Sequence, residues 1–240
     1  MILTLPESKN LKGAVIACTP YIPIPPCNHA ADIKADENEA ENLLNRVVEY
    51  FQKRNSSYAR FRITPLTRPK TFARLLEANG FEKEAEDSVM VFKGKIAKNK
   101  SNREIKVRKM AQSKIDVADR ITFKVFEFSD GWKDKWHHLM VDWMQKGGEH
   151  YVAYVEEKPA GTSLLFSLMK TGGIFNVGTL KEYRRRGIAT TLTLHAVRKS
   201  IEKGNDLHTL QTAKGGAAEQ LYKKIGFVTD HTASWYVKKL

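Results

Sequence analysis

Apolar residues in the first part of the chain recur at helical spacing between residues 38 and 54, which predicts an amphipathic helix. A strand-like stretch at 58–63 follows it. A short helix at 71–79 then ends before Gly80, and a last apolar stretch at 89–92 has the composition of a strand. The first part of the chain is therefore predicted to be mixed α and β.

The second part predicts a longer alternation of strands and helices, and a Lys-Pro-Ala-Gly turn is expected at 158–161. The order is β, α, α, β, β, β, α, β, α and a final strand pair, which favours an α/β (α+β) fold with a mixed sheet. The predicted elements are a strand at 105–110, helices at 115–126 and 133–145, strands at 151–155, 162–169 and 173–179, a helix at 187–203, a strand at 207–212, a helix at 217–224 and a strand pair ending at Val237.

The length of 240 residues, with 42% hydrophobic residues, favours two domains, because most domains hold roughly 100–150 residues. A basic, Asn- and Ser-containing stretch near residue 100 has almost no apolar side chain, so it is interpreted as an exposed linker. The expected organisation is an N-terminal domain at 1–93, a linker at 94–104 and a C-terminal domain at 105–240.

The ends of the two predicted domains resemble each other at a constant offset of 146 positions, and both segments follow the order helix, Gly-Phe, turn and strand. This similarity suggests an internal duplication. The identical pairs are Leu75 and Leu221, Gly80 and Gly226, Phe81 and Phe227, Ser88 and Ser234, and Val91 and Val237.

The net charge of +13 lies mostly in the second part, since residues 1–104 hold 17 basic against 13 acidic side chains and residues 105–240 hold 23 against 14. Such a balance attracts a phosphorylated ligand or a nucleic acid equally. No apolar run is long enough for a membrane span. Two cysteines, Cys18 and Cys27, are too few for a disulfide framework or a zinc site, so free thiols and a cytoplasmic location are expected, with no metal.

The stretch 179–192, TLKEYRRRGIATTL, joins a predicted strand to a predicted helix. The first amides of a helix lack intrahelical partners and its dipole is positive there, so this position suits a phosphate group. The three arginines add charge-assisted contacts. Taken alone, three arginines before a helix are more typical of a solvated loop.

The same stretch resembles the acyl-CoA-binding motif Arg/Gln-x-x-Gly-x-Gly/Ala of the GNAT superfamily of N-acyltransferases, matched by Arg184, Gly187 and Ala189. The later segment 221–227, LYKKIGF, is similar to the closing helix-to-strand segment of that superfamily. The resemblance implies a GNAT fold, and two GNAT-like domains in tandem. The N-terminal one would be degenerate, because it lacks the arginine motif.

The resemblance also implies a function, which is transfer of an acetyl group from acetyl-CoA, as cosubstrate, to a primary amine on a small molecule or peptide. Tyr222 would lie near the thioester sulfur and protonate the departing thiolate, since a tyrosine with a pKa of about 10 stays protonated at neutral pH. The implied cofactor-binding residues are Val177, Gly178 and Thr179 for the pantetheine arm, and Arg184, Arg185, Arg186, Gly187, Ile188, Ala189 and Thr190 for the pyrophosphate.

Two positions depart from the pattern of the superfamily. The stretch 172–179 contains no Asp or Glu to act as a base, so Glu149, His150 and Asp142 are the remaining candidates, each also compatible with a surface or capping role. Gly215 stands where the superfamily often carries an Asn that contacts the cofactor.

The acceptor remains open at this stage. An aromatic and histidine-containing segment could line an acceptor pocket or pack in the core, and His195 is expected to be a core or edge histidine. Binding of acyl-CoA without catalysis is the alternative function. Nucleic acid is not expected, because no nucleic-acid-binding module is found. The oligomeric state is not predicted. The aromatic segment comprises Trp132, Trp136, His137, His138, Met140 and Trp143.

Overall fold

The computed structural model describes residues 8–95 and 104–240. Residues 96–103, most of the predicted linker at 94–104, lie outside the described residues. The chain divides into two compact units. The first comprises the described residues up to Ser88 together with His231–Leu240, and the second is Val89–Asp230. The sequence placed the boundaries at 93 and 105 and kept the C-terminus with the second domain, so this division assigns the last ten residues differently.

The first unit has a sheet with the strand order β1-β2-β3-β4-β11, covered by two helices. Helix α1 buries Leu43, Val47 and Phe51 against Phe61 of β4 and Phe72 of α2, the amphipathic pattern that the sequence predicted. The elements are β1 (Ser8–Leu11), β2 (Ala14–Cys18), β3 (Asn28–Ala31), α1 (Ala40–Gln52), β4 (Tyr58–Ile63), α2 (Phe72–Ala78), β5 (Glu82–Phe92) and β11 (Phe227–Lys239), of which β5 and β11 have residues in both units.

The second unit has the strand order β5-β10-β9-β8-β7-β6. Its core joins Leu165 and Ile174 of the sheet to Ile188 and Leu192 of helix α5 and to Tyr222 of helix α6. The remaining elements are β6 (Lys106–Lys109), α3 (Asp116–Phe126), α4 (Lys133–Gln145), β7 (Glu149–Val155), β8 (Lys158–Leu168), β9 (Thr171–Thr179), α5 (Ile188–Glu202), β10 (Leu207–Ala213) and α6 (Ala217–Ile225).

Two local predictions were wrong. The β7–β8 turn is formed by Glu156 and Glu157, both left-handed with φ of 49° and 61°, and not by 158–161. Those four residues belong to β8, because cross-strand pairing already begins at Val155 and Lys158. The expected strand pair at the C-terminus is the single 13-residue strand β11.

The duplicated segments have the same local structure. Gly80 follows α2 and Gly226 follows α6, each with positive φ, at 78° and 121°. The phenylalanine after each glycine is buried, at 3% exposed for Phe81 and 2% for Phe227. Glycine is favoured where a helix ends in a left-handed residue, so the Gly-Phe pairs mark equivalent turns into β5 and β11.

Among the described residues, no helix is long and apolar enough to cross a membrane. Cys18 and Cys27 are both buried thiols of the first unit. Burial raises the pKa of Cys27 to about 12, because the thiolate would lose its hydration. Cys27 therefore stays a protonated thiol at neutral pH.

Candidate active site

Strands β9 and β10 run parallel but separate after a short distance. In the described part of the chain their ladder consists of three pairs, which join Thr171–Gly173 to 207–209. Strand β9 then continues to Thr179 and β10 to Ala213 without pairing to each other. The carboxyl ends of both strands therefore flank an opening in which β9 and β10 do not hydrogen-bond to each other.

A β-bulge interrupts β9 within this opening. Leu164 of β8 pairs with Phe175 and Thr162 pairs with Gly178, so two residues of β9, Asn176 and Val177, oppose a single residue of β8. Asn176 is left-handed, with a φ of 50°. A bulge takes its extra residue out of the ladder, so the polar backbone groups at Val177 are available to a ligand.

The turn after β9 leads directly into helix α5. Arg185 and Gly187 are both left-handed, with φ of 66° and 83°. The hydrogen-bond ladder of α5 begins with the Thr191 N–H, which donates to the Gly187 oxygen at 2.9 Å, and no side chain caps the helix. The N–H groups of residues 188–190 precede this ladder and point outward at the positive end of the helix dipole. Their arrangement fits an anionic group.

The three arginines form an exposed cationic rim around this turn. The Arg184 Nε donates to the Thr179 oxygen at 3.4 Å, and the Arg186 guanidinium lies 5.7 Å from the centre of the Tyr183 ring. The structure thus brings the ten residues predicted to bind the cofactor together in one strand, turn and helix.

Tyr222 lies on α6 and is buried at 7% exposed, packed edge-on against Phe227 with ring centres 5.9 Å apart. Burial raises the pKa of Tyr222 to about 12, because the phenolate would be poorly solvated. The hydroxyl therefore remains a proton donor throughout the neutral range.

The turn before α6 is held by a buried carboxylate that the sequence analysis missed. The Glu219 Oε2 accepts the Gly215 N–H at 2.6 Å, and its Oε1 lies 2.7 Å from the Lys223 Nζ. Glu219 is the third residue of α6, the position from which a glutamate reaches back to amides at the helix start. Gly215 is left-handed, with a φ of 77°, which fits the absence of a side chain at this position.

Glu149 is committed to an ion-pair cluster. It accepts hydrogen bonds from the Lys109 Nζ at 2.5 Å and the Tyr151 hydroxyl at 2.6 Å, and lies 3.2 Å from the Lys203 Nζ. Burial raises the pKa of this carboxyl, but the three hydrogen bonds outweigh it and lower the pKa overall. Across Leu165 of β8 it is level with Ile174 of β9, and its ion pair with Lys203 directs its side chain to the end of helix α5.

The remaining base candidates, His150 and Asp142, lie on β7 and α4, and His195, expected in the core or at its edge, lies on α5. His195, a half-buried histidine, packs edge-on against Tyr151, with ring centres 4.7 Å apart. His150 is buried at 3% exposed, and Asp142 pairs with Lys146 at 3.1 Å. None of these three side chains belongs to β9 or β10, and His208 of β10 lies 2.7 Å from the Ser200 hydroxyl, within the paired part of the two strands.

The burial of His150 makes the stability of the fold depend on pH. Burial lowers its pKa to about 4, and its Nε2 has no hydrogen-bond partner in the described structure. A histidine with a lowered folded-state pKa stabilises the fold above its unfolded pKa of about 6.5, and this contribution is lost as the pH falls towards 4. At pH 5 the loss amounts to about 2 kcal/mol. We expect urea unfolding at pH 5 and 7.5 to show a larger difference for the wild type than for His150→Leu. Equal differences would contradict this assignment.

The aromatic segment packs mainly in the core. Trp132 and Trp136 join Phe123 and Phe128 in one cluster, with neighbouring ring centres 4.8 to 6.2 Å apart. Trp143 contacts Phe166 and Phe175 of the sheet. The indoles of this segment therefore anchor helix α4.

Three other residues of the segment are placed by polar or sulfur contacts. The His137 Nδ1 lies 2.7 Å from the Oδ2 of buried Asp119, and the His138 Nδ1 lies 2.7 Å from the Asp134 backbone oxygen. The Met140 sulfur lies 4.0 Å from the Asn176 Nδ2 at the bulge. Asp119 was not predicted, because a separation of 18 residues across two helices leaves no signal in the sequence.

Comparison with known proteins identifies the class of this domain. Residues 119–227 match the sequence profile of the Acetyltransferase (GNAT) family. This segment runs from helix α3 to the start of β11 and contains both the opening and the turn at α5. Residues 119–227 thus form a GNAT-family domain, and this family indicates acyltransferase activity. No curated protein sequence matches the chain significantly.

Solved structures share the fold over nearly the whole chain. A GCN5-related N-acetyltransferase from Sphaerobacter thermophilus is 17% identical, with a TM-score of 0.72, and the match covers 95% of this chain and 76% of that one. One from Kribbella flavida is 16% identical, with a TM-score of 0.70, covering 88% and 81%. A tandem GNAT protein from the clavulanic acid pathway is 11% identical, with a TM-score of 0.68, covering 94% and 78%. The mixed α/β fold is therefore that of GNAT proteins, including a tandem one.

Proposed function

We propose that this protein is an N-acetyltransferase that moves an acetyl group from acetyl-CoA to a primary amine. The observation that carries the proposal is the opening between β9 and β10, which ends in the left-handed turn at Gly187 and the uncapped start of α5. The GNAT profile over the same residues supports an acyl-CoA ligand.

The chain offers two kinds of contact to acetyl-CoA. Backbone groups at Val177, Gly178 and Thr179 would pair with the pantetheine arm, because the separation of β9 from β10 leaves all three outside the β9–β10 ladder, and Val177 also lies in the bulge. The amides of residues 188–190, with the exposed guanidiniums of 184–186, would hold the pyrophosphate.

The reaction forms a C–N bond and breaks the C–S bond of the thioester. A neutral amine attacks the acetyl carbonyl, and the Val177 N–H would donate to the developing oxyanion. The Tyr222 hydroxyl gives its proton to the departing thiolate and recovers one from the substituted amine through solvent. Because the pKa of Tyr222 is raised to about 12, the donor form is fully populated at neutral pH.

We assign the acyl-CoA site to the second unit and a structural role to the first. The first unit contains the Gly-Phe turn at Gly80 but no Arg-x-x-Gly-x-Gly/Ala motif in its sequence. The domains proposed are 1–93 and 105–240 with a linker between them. The two buried thiols support a reducing compartment, the cytoplasm. The described residues contain no group of three or more potential metal ligands, and the proposed reaction uses none.

The proposal is tested with the purified full chain, acetyl-CoA and a panel of primary amines, by following thiol release and, in parallel, calorimetric titration with acetyl-CoA. We expect micromolar binding and amine-dependent thiol release. Binding without release for any amine would overturn catalysis and favour an acyl-CoA sensor. No binding at all would overturn the cofactor assignment.

A further inference from the structure

The end of α3 and the first residues after it present two stacked aromatic rings, from residues that flank a glutamate in the sequence. The rings of Phe126 and Phe128 lie 5.6 Å apart at an interplanar angle of 23°. Phe126 is 41% exposed, and Glu127 is exposed as well. The exposed part of Phe126 is therefore an apolar surface that the core does not cover.

Phe128 joins this surface to the aromatic cluster of the core. The Phe128 ring packs against Trp132 and Trp136, with ring centres 4.8 and 5.8 Å away. Phe126 stacks on Phe128 and is itself exposed. The buried tryptophans therefore hold the platform rigid while its outer ring stays available.

The loop begins beside the strand proposed to bind the cofactor. A Cβ atom added at Gly178 would lie 3.0 Å from the Val125 Cγ1, so the last turn of α3 is in close contact with β9. One residue earlier, the Lys124 Nζ pairs with Glu182 of the turn before α5 at 3.1 Å. These two contacts place the last turn of α3, which ends at Phe126, beside both the bulged strand and the proposed phosphate turn.

The carboxylate in this surface differs from its neighbours. Glu182 pairs with Lys124, and Asp119 pairs with His137, whereas the structure shows no ion pair or hydrogen bond for the Glu127 carboxylate among the described residues. A negative charge next to an apolar platform complements a ligand that carries an ammonium group on an apolar body.

On the basis of the proposed function, we propose that Phe126, Glu127 and Phe128 bind the acceptor and select a primary amine with a flat apolar body, such as an arylalkylamine. The body stacks on Phe126, and Glu127 attracts the ammonium form to the opening. The amine gives up a proton to solvent before it attacks. A carboxylate on the acceptor is repelled by Glu127, so amino acids are poor acceptors compared with the corresponding amines.

The test is steady-state kinetics with 2-phenylethylamine, phenylalanine and ethanolamine as acceptors. Phenylalanine adds a carboxylate to the first amine, and ethanolamine removes the ring. We expect kcat/KM for 2-phenylethylamine to exceed that for each of the others by about tenfold or more. A preference for ethanolamine or phenylalanine would overturn the proposal.

Glu127→Gln is expected to raise KM for 2-phenylethylamine about fivefold without changing KM for acetyl-CoA, as expected for loss of one solvent-accessible charge contact. Glu156→Gln is the matched control, because Glu156 is an exposed, left-handed glutamate in the β7–β8 turn, and it should match the wild type. Phe126→Ala should reduce the preference for the aryl amine over ethanolamine.

Titration with acetyl-CoA distinguishes a failure of the acceptor site from a failure of the proposed function. If all variants bind acetyl-CoA and turn over but Glu127→Gln keeps the wild-type KM for every amine, the acceptor site is refuted and the proposed function stands. If the wild type fails to bind acetyl-CoA, the proposed function itself fails.

Discussion

Gly187→Asp is expected to weaken acetyl-CoA binding by at least about a hundredfold. Gly187 is the last residue before α5, and its carbonyl accepts the first hydrogen bond of that helix. A carboxylate there would lie beside the pyrophosphate proposed to bind residues 188–190. Two like charges about 4 Å apart near a protein surface repel by roughly 4 kcal/mol, which exceeds the 2.7 kcal/mol of a hundredfold change. Calorimetric titration with acetyl-CoA measures the loss.

Two control variants separate charge from backbone strain. In Gly187→Asn the new side chain has nearly the size of aspartate but no charge. Asparagine must adopt the same left-handed conformation and tolerates it. Gly204→Asp places the carboxylate at the other end of α5, at a glycine with a similar φ of 74° and equally open surroundings. We expect Gly187→Asn to bind within about tenfold of the wild type and Gly204→Asp to be unaffected. If Gly187→Asp and Gly187→Asn bind equally, the charge argument is wrong.

Helices and the cofactor segment could be predicted because their signals are local. The apolar period of α1, the boundaries of α4 and the strand-turn-helix at Gly187 each lie within about fifteen residues of sequence. The GNAT motif adds a specific chemical expectation to the last of these, and the profile match at 119–227 confirms the family.

The N-terminal strands were missed for a physical reason. Strand β1 is short, polar and largely exposed, so it shows neither apolar alternation nor a buried run. Strand β3 is a four-residue strand after a Pro-rich segment, and its buried residues include Asn28 and His29. A strand such as β3 forms because it pairs with β2, which lies earlier in the chain, and its own composition does not indicate a strand.

The polar contacts around the opening were also beyond prediction from sequence. The bulge at Asn176 and Val177 depends on the register between β8 and β9, and the Asp119–His137 pair depends on how α3 and α4 pack. A sequence indicates which residues can form such contacts but not which partner each one meets. Glu219 is the exception, since a glutamate at the third position of a predicted helix is a recognisable capping signal.

Tyr222→Phe is expected to lower kcat about a hundredfold or more, while KM for acetyl-CoA changes little. A positioned general acid contributes roughly 10²–10⁴ to the rate, and phenylalanine keeps the packing against Phe227 but has no proton to give. Thiol release at saturating acetyl-CoA measures kcat directly. Tyr154→Phe, on the distant strand β7, removes a hydroxyl of the same kind and should retain full activity.

The pH dependence distinguishes proton donation from a structural role. Because burial raises the pKa of Tyr222 to about 12, the donor form persists at pH 10, where an ordinary tyrosine is half ionised. Ionisation of Tyr222 should therefore cause no fall in the wild-type kcat up to pH 10. A loss of kcat in Tyr222→Phe that is accompanied by a lower unfolding temperature would reflect damaged packing. Full activity with unchanged stability would show that another group, or water, protonates the thiolate.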